Sequence, residues 1–327
     1  MKNFLEKFVE KKNLKKLFTP GPASLIKENI TSLQPCFGRG DLEYEKIENF
    51  VLNKLKKISG HKYIARMQGS ASFALELMIS NFLSGRVLII KTGTYSDRLF
   101  YMSKVSKTIH KNIKKIDYVD YKKIDHINNK YDWVMGCPVE TSIGLKIPIK
   151  RYNVLKKRCN AKLALDATAS IGLEDDHNFA DVIGYSSCKG LFGLTGGAFV
   201  AFNKKPKNKI KQFNFNIYSH LEKKMTGPYH AICSLNDILK NYENFRYAVK
   251  INKKYFLKKM KKYLVHNNKS QPYLCTLIDR KIYSKNKKVI LYQSRADIDG
   301  SVVCHLGEVH LKKKALGKII DTIKVEN

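Results

Sequence analysis

The chain has 327 residues, 43% of them apolar and 27% charged, with 61 Lys and Arg against 28 Asp and Glu for a formal net charge of +33. That balance excludes a disordered or fibrous chain, and the length suggests about two domains. No apolar run approaches the ~20 residues of a membrane span, and the N-terminus MKNFLEKFVEKKNLKK lacks the apolar stretch of a secretion signal, so a cytoplasmic protein is expected.

In chain order, residues 1–17 read as a charged amphipathic helix, stopped by the turn Thr19-Pro20-Gly21-Pro22. From about residue 60 to 205, short β-rich runs alternate with helical patterns. The runs are 86–90, 117–120, 132–135, 162–165, 182–185 and 197–201, and helical stretches such as 72–83 and 150–158 lie between them. This alternation predicts an α/β architecture, a mostly parallel sheet covered by helices on both faces. The lysine-rich stretch 204–212 reads as an exposed connection. After about residue 235 come a helical stretch, strand-like runs at 271–278, 288–293 and 301–306, and a final amphipathic helix at 310–323. This tail reads as a smaller α+β domain.

The positive charge is almost all lysine, since only nine residues are arginine. The lysines are spread as short doublets, with no arginine stripe interleaved with aromatics, so we expect no nucleic-acid partner, although attraction of an anionic substrate stays open. The seven cysteines, Cys36, Cys137, Cys159, Cys188, Cys233, Cys275 and Cys304, show no CxxC spacing. They read as reduced thiols, with neither a disulfide framework nor a metal site.

The chemistry concentrates in residues 162–201. Asp166 closes an apolar strand, and ligands of open α/β sheets bind at that end. Lys189 follows Ser186-Ser187-Cys188 after the next strand and leads into a loop with Gly190, Gly193, Gly196 and Gly197. A lysine among small residues has room to form an imine, and an aspartate on the neighbouring strand is the partner that the pyridine nitrogen of pyridoxal phosphate requires. Upstream, Gln68-Gly69-Ser70-Ala71-Ser72 opens an apolar helix, and its small residues offer amides and hydroxyls to a phosphate. Helix capping alone would use the same serines. Lys91-Thr92-Gly93-Thr94-Tyr95 and Cys137-Pro138-Val139-Glu140-Thr141-Ser142-Ile143-Gly144 are further loops expected at the same sheet edge.

These motifs in this order resemble class V, fold-type I pyridoxal-phosphate aminotransferases, most of all the 2-aminoethylphosphonate–pyruvate transaminases, with the alanine/serine–glyoxylate enzymes a little further off. The resemblance rests on TPGP at 19–22, QGSASFALE at 68–76, GTYSDR at 93–98, VETSIG at 139–144, LALDATASIGL at 163–173, SSCKGLFGLTGGAFV at 186–200 and TGPYH at 226–230. It implies an N-terminal helix (1–17) packing with the small domain, a large cofactor-binding domain (18–235) and a shortened small C-terminal domain (236–327). It further implies that Lys189 holds the cofactor and serves as acid and base, and that Asp166 pairs with the ring nitrogen. Tyr95 would stack on the ring, Thr141 would approach its hydroxyl, and Ser70, Ala71, Ser72 and Ser187 would complete the cofactor site. Thr226 would reach the phosphate of a neighbouring subunit, which makes the protein a homodimer with shared active sites.

The chain departs from that pattern where the family carries a carboxylate-binding arginine. Val302 stands at that position, and Arg39, Lys223, Arg295 and His305 are the candidate replacements. The expected activity is transfer of an amino group between 2-aminoethylphosphonate, or a similar small amine, and a 2-oxo acid such as pyruvate. The alternatives are an alanine/serine–glyoxylate-type aminotransferase or another class V enzyme, and, outside enzymes, a basic RNA- or polyanion-binding protein.

Overall fold

Apolar strands separated by glycine-bearing turns and amphipathic helices assemble around one seven-stranded sheet. The computed structural model describes residues 4–12, 15–21, 23, 25–33, 40–306 and 318–326. The helices are α1 (Phe4–Lys12), α2 (Leu42–Ser59), α3 (Ala71–Phe82), α4 (Thr94–His110), α5 (Ile149–Arg158), α6 (Ile217–Leu221), α7 (Tyr229–Lys240) and α8 (Tyr242–Lys259). The first ten strands are β1 (Lys16–Phe18), β2 (Tyr63–Gln68), β3 (Gly85–Lys91), β4 (Ile113–Asp120), β5 (Trp133–Gly136), β6 (Val139–Glu140), β7 (Leu145–Lys146), β8 (Lys162–Asp166), β9 (Val182–Ser186) and β10 (Gly197–Phe202). Five more follow: β11 (Cys275–Ile278), β12 (Ile282–Tyr283), β13 (Val289–Leu291), β14 (Ser301–Cys304) and β15 (Lys324–Val325).

The large sheet runs β2-β10-β9-β8-β5-β3-β4. All its pairings are parallel except those of β10, which lies antiparallel to both β2 and β9. The strands are apolar on both faces because helices cover both. Val87 and Ile89 face one core with α3 and α4, while Leu88 and Ile90 face the other with α2, α5 and α7, as the two-residue period of a strand requires. Since β2, β3, β5, β8 and β9 point the same way, their C-terminal ends gather along one edge. That edge carries Gly69–Ser72, Lys91–Tyr95, Cys137–Ser142, Asp166–Thr168 and Ser186–Lys189.

Three expectations change. The helix expected over 1–17 ends at Lys12, and Lys16–Phe18 instead pairs in parallel with Val289–Leu291. Pairing there buries Phe18 to 2% exposure against Phe256, Ile278 and Val303, which a helix continued to Leu17 would not achieve. Of the helix expected over 310–323, residues 310–317 lie outside the described residues, and Lys318–Thr322 is a short 3-10 turn that buries Ile320 in the same cluster. In addition, β2 is a strand that the sequence reading left out, and it forms the sheet edge beside β10. Among the described residues, no helix is long and apolar enough to cross a membrane.

Candidate active site

The C-terminal sheet edge opens into a cavity of about 680 Å³. Asp166 and Lys189 both line it, as do Ser70, Ala71, Ser72, Tyr95, Thr141 and Arg295. The antiparallel turn from β9 into β10 is what brings Lys189 there. The turn is tied by Ser187 N–H to the Gly197 carbonyl (2.9 Å), by Gly193 N–H to the Ser187 carbonyl (2.9 Å) and by Phe192 N–H to the Lys189 carbonyl (2.9 Å). Gly190 is required in it, because a Cβ there would lie 2.3 Å from the Ile171 carbonyl oxygen.

Asp166 is 5% exposed, and its Oδ1 accepts the Thr168 amide at 2.9 Å. Among the described residues no cation stands at ion-pair distance from it. Burial pushes its carboxyl above the usual range, while Thr168 and the nearby charges of Lys189 and Arg98 pull the other way. The Thr141 hydroxyl lines the same cavity, buried and without a hydrogen-bond partner, while Thr168 is beside Asp166. Buried polar groups are usually satisfied in folded proteins, so the Thr141 hydroxyl and a carboxylate without a cation at ion-pair distance suit a polar ligand.

At the opposite wall, Ser70 is the N-cap of α3 but its side chain makes no capping bond. The hydroxyl and the amides of Ala71 and Ser72, the first two of the helix, remain available to an anion, whereas the Phe73 amide bonds the Ser70 carbonyl. Ser72 Oγ accepts from Arg98 Nη1 at 3.3 Å. Tyr95 lies between charged neighbours, its ring centre 5.4 Å from Lys189 Nζ and 5.1 Å from the Arg98 guanidinium carbon. A phosphate at Ser70–Ser72, a planar ring beside Tyr95 and a ring N–H at Asp166 all fit these donors and acceptors, so the residues present suit pyridoxal phosphate.

Other expected residues fall elsewhere. The Ser187 hydroxyl donates to the Leu194 carbonyl within the lysine turn, and Ser186 lines the cavity in its place. His305 is 2% exposed just after β14, 3.0 Å from Thr276 Oγ1 and against Phe256. Burial holds it well below the usual histidine range, so it is a neutral packing residue with no access to substrate. Lys223 pairs with the buried Glu48 and does not line the cavity. Val302 is buried in β14 opposite Leu277. Thr226 is exposed, outside this chain's own cavity. Arg39 lies outside the described residues.

Among the polar residues that line the cavity, Arg98, Thr168, Thr195 and Tyr292 have no role in the sequence reading. Arg98 follows Tyr95 by three positions on α4, a spacing that places both on one helix face. Tyr292 comes from the segment after β13, and its buried hydroxyl has no hydrogen-bond partner. Burial first, and neighbouring Tyr95 second, push that phenol upward. A second cavity of about 730 Å³ is lined by Lys54 and Arg246 among others, and there Arg246 pairs with Asp175 at 2.6 Å and Lys240 with Asp237 at 2.8 Å.

Comparison with solved structures fits this architecture. The alanine–glyoxylate aminotransferase of Nostoc sp. superposes with a TM-score of 0.78 over 94% of each chain, at 14% identity. The fold is that of the fold-type I aminotransferases. In sequence the chain resembles curated aminotransferases at low identity. It is 26% identical over 342 residues to a bifunctional phosphonoacetaldehyde hydrolase/aminoethylphosphonate transaminase of Clostridioides difficile, covering 90% of this chain and 54% of that one. It is 24% identical over 252 residues to a 2-aminoethylphosphonate–pyruvate transaminase of Pseudomonas aeruginosa, covering 69% and 68%. The chain spans little more than half the length of several curated relatives it matches, 54%, 57% and 60%. No family model matches it.

Proposed function

We propose that this protein is a cytoplasmic, homodimeric pyridoxal-phosphate aminotransferase that moves an amino group between 2-aminoethylphosphonate, or a similar small amine, and a 2-oxo acid such as pyruvate. The observation that carries the reading is Asp166, a carboxylate 5% exposed and without an ion-pair partner among the described residues, in the cavity that also holds Lys189. A buried carboxylate without a counter-charge is costly, and a protonated pyridine nitrogen would supply one. The cofactor, when bound, supplies a carbonyl that takes up amino groups and a ring that withdraws electrons from the carbon beside them.

The chain's own residues do the rest. Lys189 Nζ would hold the cofactor and, when free, would serve as the base and acid that moves a proton at the reacting carbon. Asp166 would keep the ring nitrogen protonated, Tyr95 would lie against the ring, and the Thr141 hydroxyl would be a donor for the ring oxygen. Ser70, Ala71 and Ser72 hold the phosphate, with Thr226 of the partner subunit beside them. Arg295, exposed at the cavity wall and without an ion pair among the described residues, is the cation offered to the substrate's acid group.

The test is a visible spectrum of purified protein with added cofactor while 2-aminoethylphosphonate is titrated in, with alanine and serine as controls. The expected result is an absorbance band that bleaches selectively with the aminophosphonate. Borohydride reduction should then fix the cofactor to Lys189, and Lys189→Ala should show neither band nor fixed cofactor. A protein that stays colourless, or a cofactor fixed on another lysine, overturns the reading. The alternative is alanine/serine–glyoxylate chemistry, the activity named for a solved structure of the same fold. Bleaching by alanine or serine alone would establish it. A basic polyanion-binding protein would instead stay colourless and bind RNA with a steep salt dependence.

A further inference from the structure

We propose that Glu140 is a positioning residue that sets Tyr95 and Thr141 together against the cofactor cavity, an inference that rests on the cofactor reading above. Glu140 ends β6, is fully buried, and has no cation among its hydrogen-bond partners. Its Oε2 accepts the amide of Tyr95 at 3.1 Å, the amide of Ser96 at 3.4 Å and the hydroxyl of Thr92 at 3.3 Å. Its Oε1 accepts the Ser142 amide at 3.4 Å and the Ser142 hydroxyl.

This arrangement replaces a missing cap. The N-cap of α4 is Gly93, which has no side chain, so the first-turn amides of Tyr95 and Ser96 take their acceptor from a carboxylate about 45 positions away. The positive end of the α4 dipole stabilises the charge in place of a lysine or arginine. Burial pushes the carboxyl up, and the hydroxyl and amide donors of Ser142, Ser96 and Tyr95 pull it down. The fit is close: a Cβ on Gly93 would stand 3.0 Å from Glu140 Cγ and Cδ.

The two residues so fixed both face the cavity. Tyr95 is held through its own amide, which keeps its ring beside Lys189 and Arg98. Thr141 lies between Glu140 and Ser142, which are bonded to each other, and its orphan hydroxyl is thereby directed. Glu140 faces the amides of Tyr95, Ser96 and Ser142, so a glutamine, with one acceptor oxygen in place of two, leaves part of this set against its NH₂ group, which only the Thr92 and Ser142 hydroxyls can turn to accept.

Glu140→Gln tests this through the affinity for added pyridoxal phosphate, the visible circular dichroism per bound cofactor, and the melting temperature. The expected result is a dissociation constant raised by about tenfold or more, with an altered dichroism band, even under conditions where the variant is fully folded. An unchanged affinity and band with only a lowered melting temperature overturns the proposal and makes Glu140 a structural cap. If Glu140→Gln does not fold, Ser142→Ala, which removes one donor and keeps the charge, should shift both readouts less but in the same direction; no shift overturns the proposal. Wild-type protein that binds no cofactor defeats the functional reading and this inference together, whereas a normal wild type beside an unaltered variant defeats this inference alone.

Discussion

Asp166 ends β8 and Lys189 lies in the turn just after the neighbouring β9, and what they can do follows from what surrounds them. A carboxylate 5% exposed, bonded by one backbone amide and sharing its cavity with the orphan Thr141 hydroxyl, is poised for a cationic partner. Asp166→Asn should therefore still take up pyridoxal phosphate but lose most turnover, because a neutral amide does not hold the ring nitrogen protonated. Cofactor absorbance and single-turnover transamination measure the two effects separately, and near-wild-type turnover would contradict the assigned role. Both residues were legible in the sequence as an Asp and a Lys closing neighbouring apolar runs. Glu140 was not, because the groups it binds on α4 lie in another motif and only folding brings them to it.

Among the elements, α2 and β2 meet through a buried ion pair, Glu48 to Arg66 Nε at 2.6 Å, with side chains 1% and 6% exposed. Lys223 adds a second cation from the segment that leads to Thr226. Gly227 packs directly on the guanidinium, where a Cβ would come within 2.8 Å of Arg66 Cζ. Glu48→Ala leaves Arg66 charged and unpaired, and should cost about 3–5 kcal/mol of stability in urea unfolding. The double variant Glu48→Ala, Arg66→Met should recover much of that loss, since both charges are then gone. A single variant within about 0.5 kcal/mol of wild type would show that the pair is not holding these elements. This contact has no signature in the sequence, where Arg66 reads as an ordinary charge.

For the whole molecule, the buried histidines decide behaviour in acid. Burial lowers His177 to about 4, and lowers His61, His220 and His305 as well. His177 stays neutral in the folded chain down to about pH 4 and titrates near 6.5 when unfolded, so between those values the unfolded chain binds more protons. Stability is therefore complete above about pH 6.5 and falls as pH drops toward 4. For His177, 2% exposed, the loss amounts to about 3 kcal/mol by pH 4. Urea midpoints measured from pH 7.5 to 4.5 should decline, and His177→Gln should make the decline shallower. An equal slope in that variant would remove His177 from the account.

The α/β class, the mostly parallel sheet and the strand ends bearing Asp166 and Lys189 were readable in the sequence, because apolar periodicity and glycine-bearing turns are local signals that survive without context. So was the place of Ser70–Ser72 at the head of α3. The tertiary structure alone decided which cations face the cavity and which are consumed elsewhere. Arg98 and Arg295 line it, whereas Lys223 is taken by Glu48 and His305 is sealed beside Thr276. It also turned residues 16–18 from a helix end into a strand, because Leu17 and Phe18 find their burial against Val289–Leu291, far along the chain. A side chain's charge is written in the sequence; whether that charge meets a ligand, an ion-pair partner or the core depends on contacts between distant segments that no local pattern encodes.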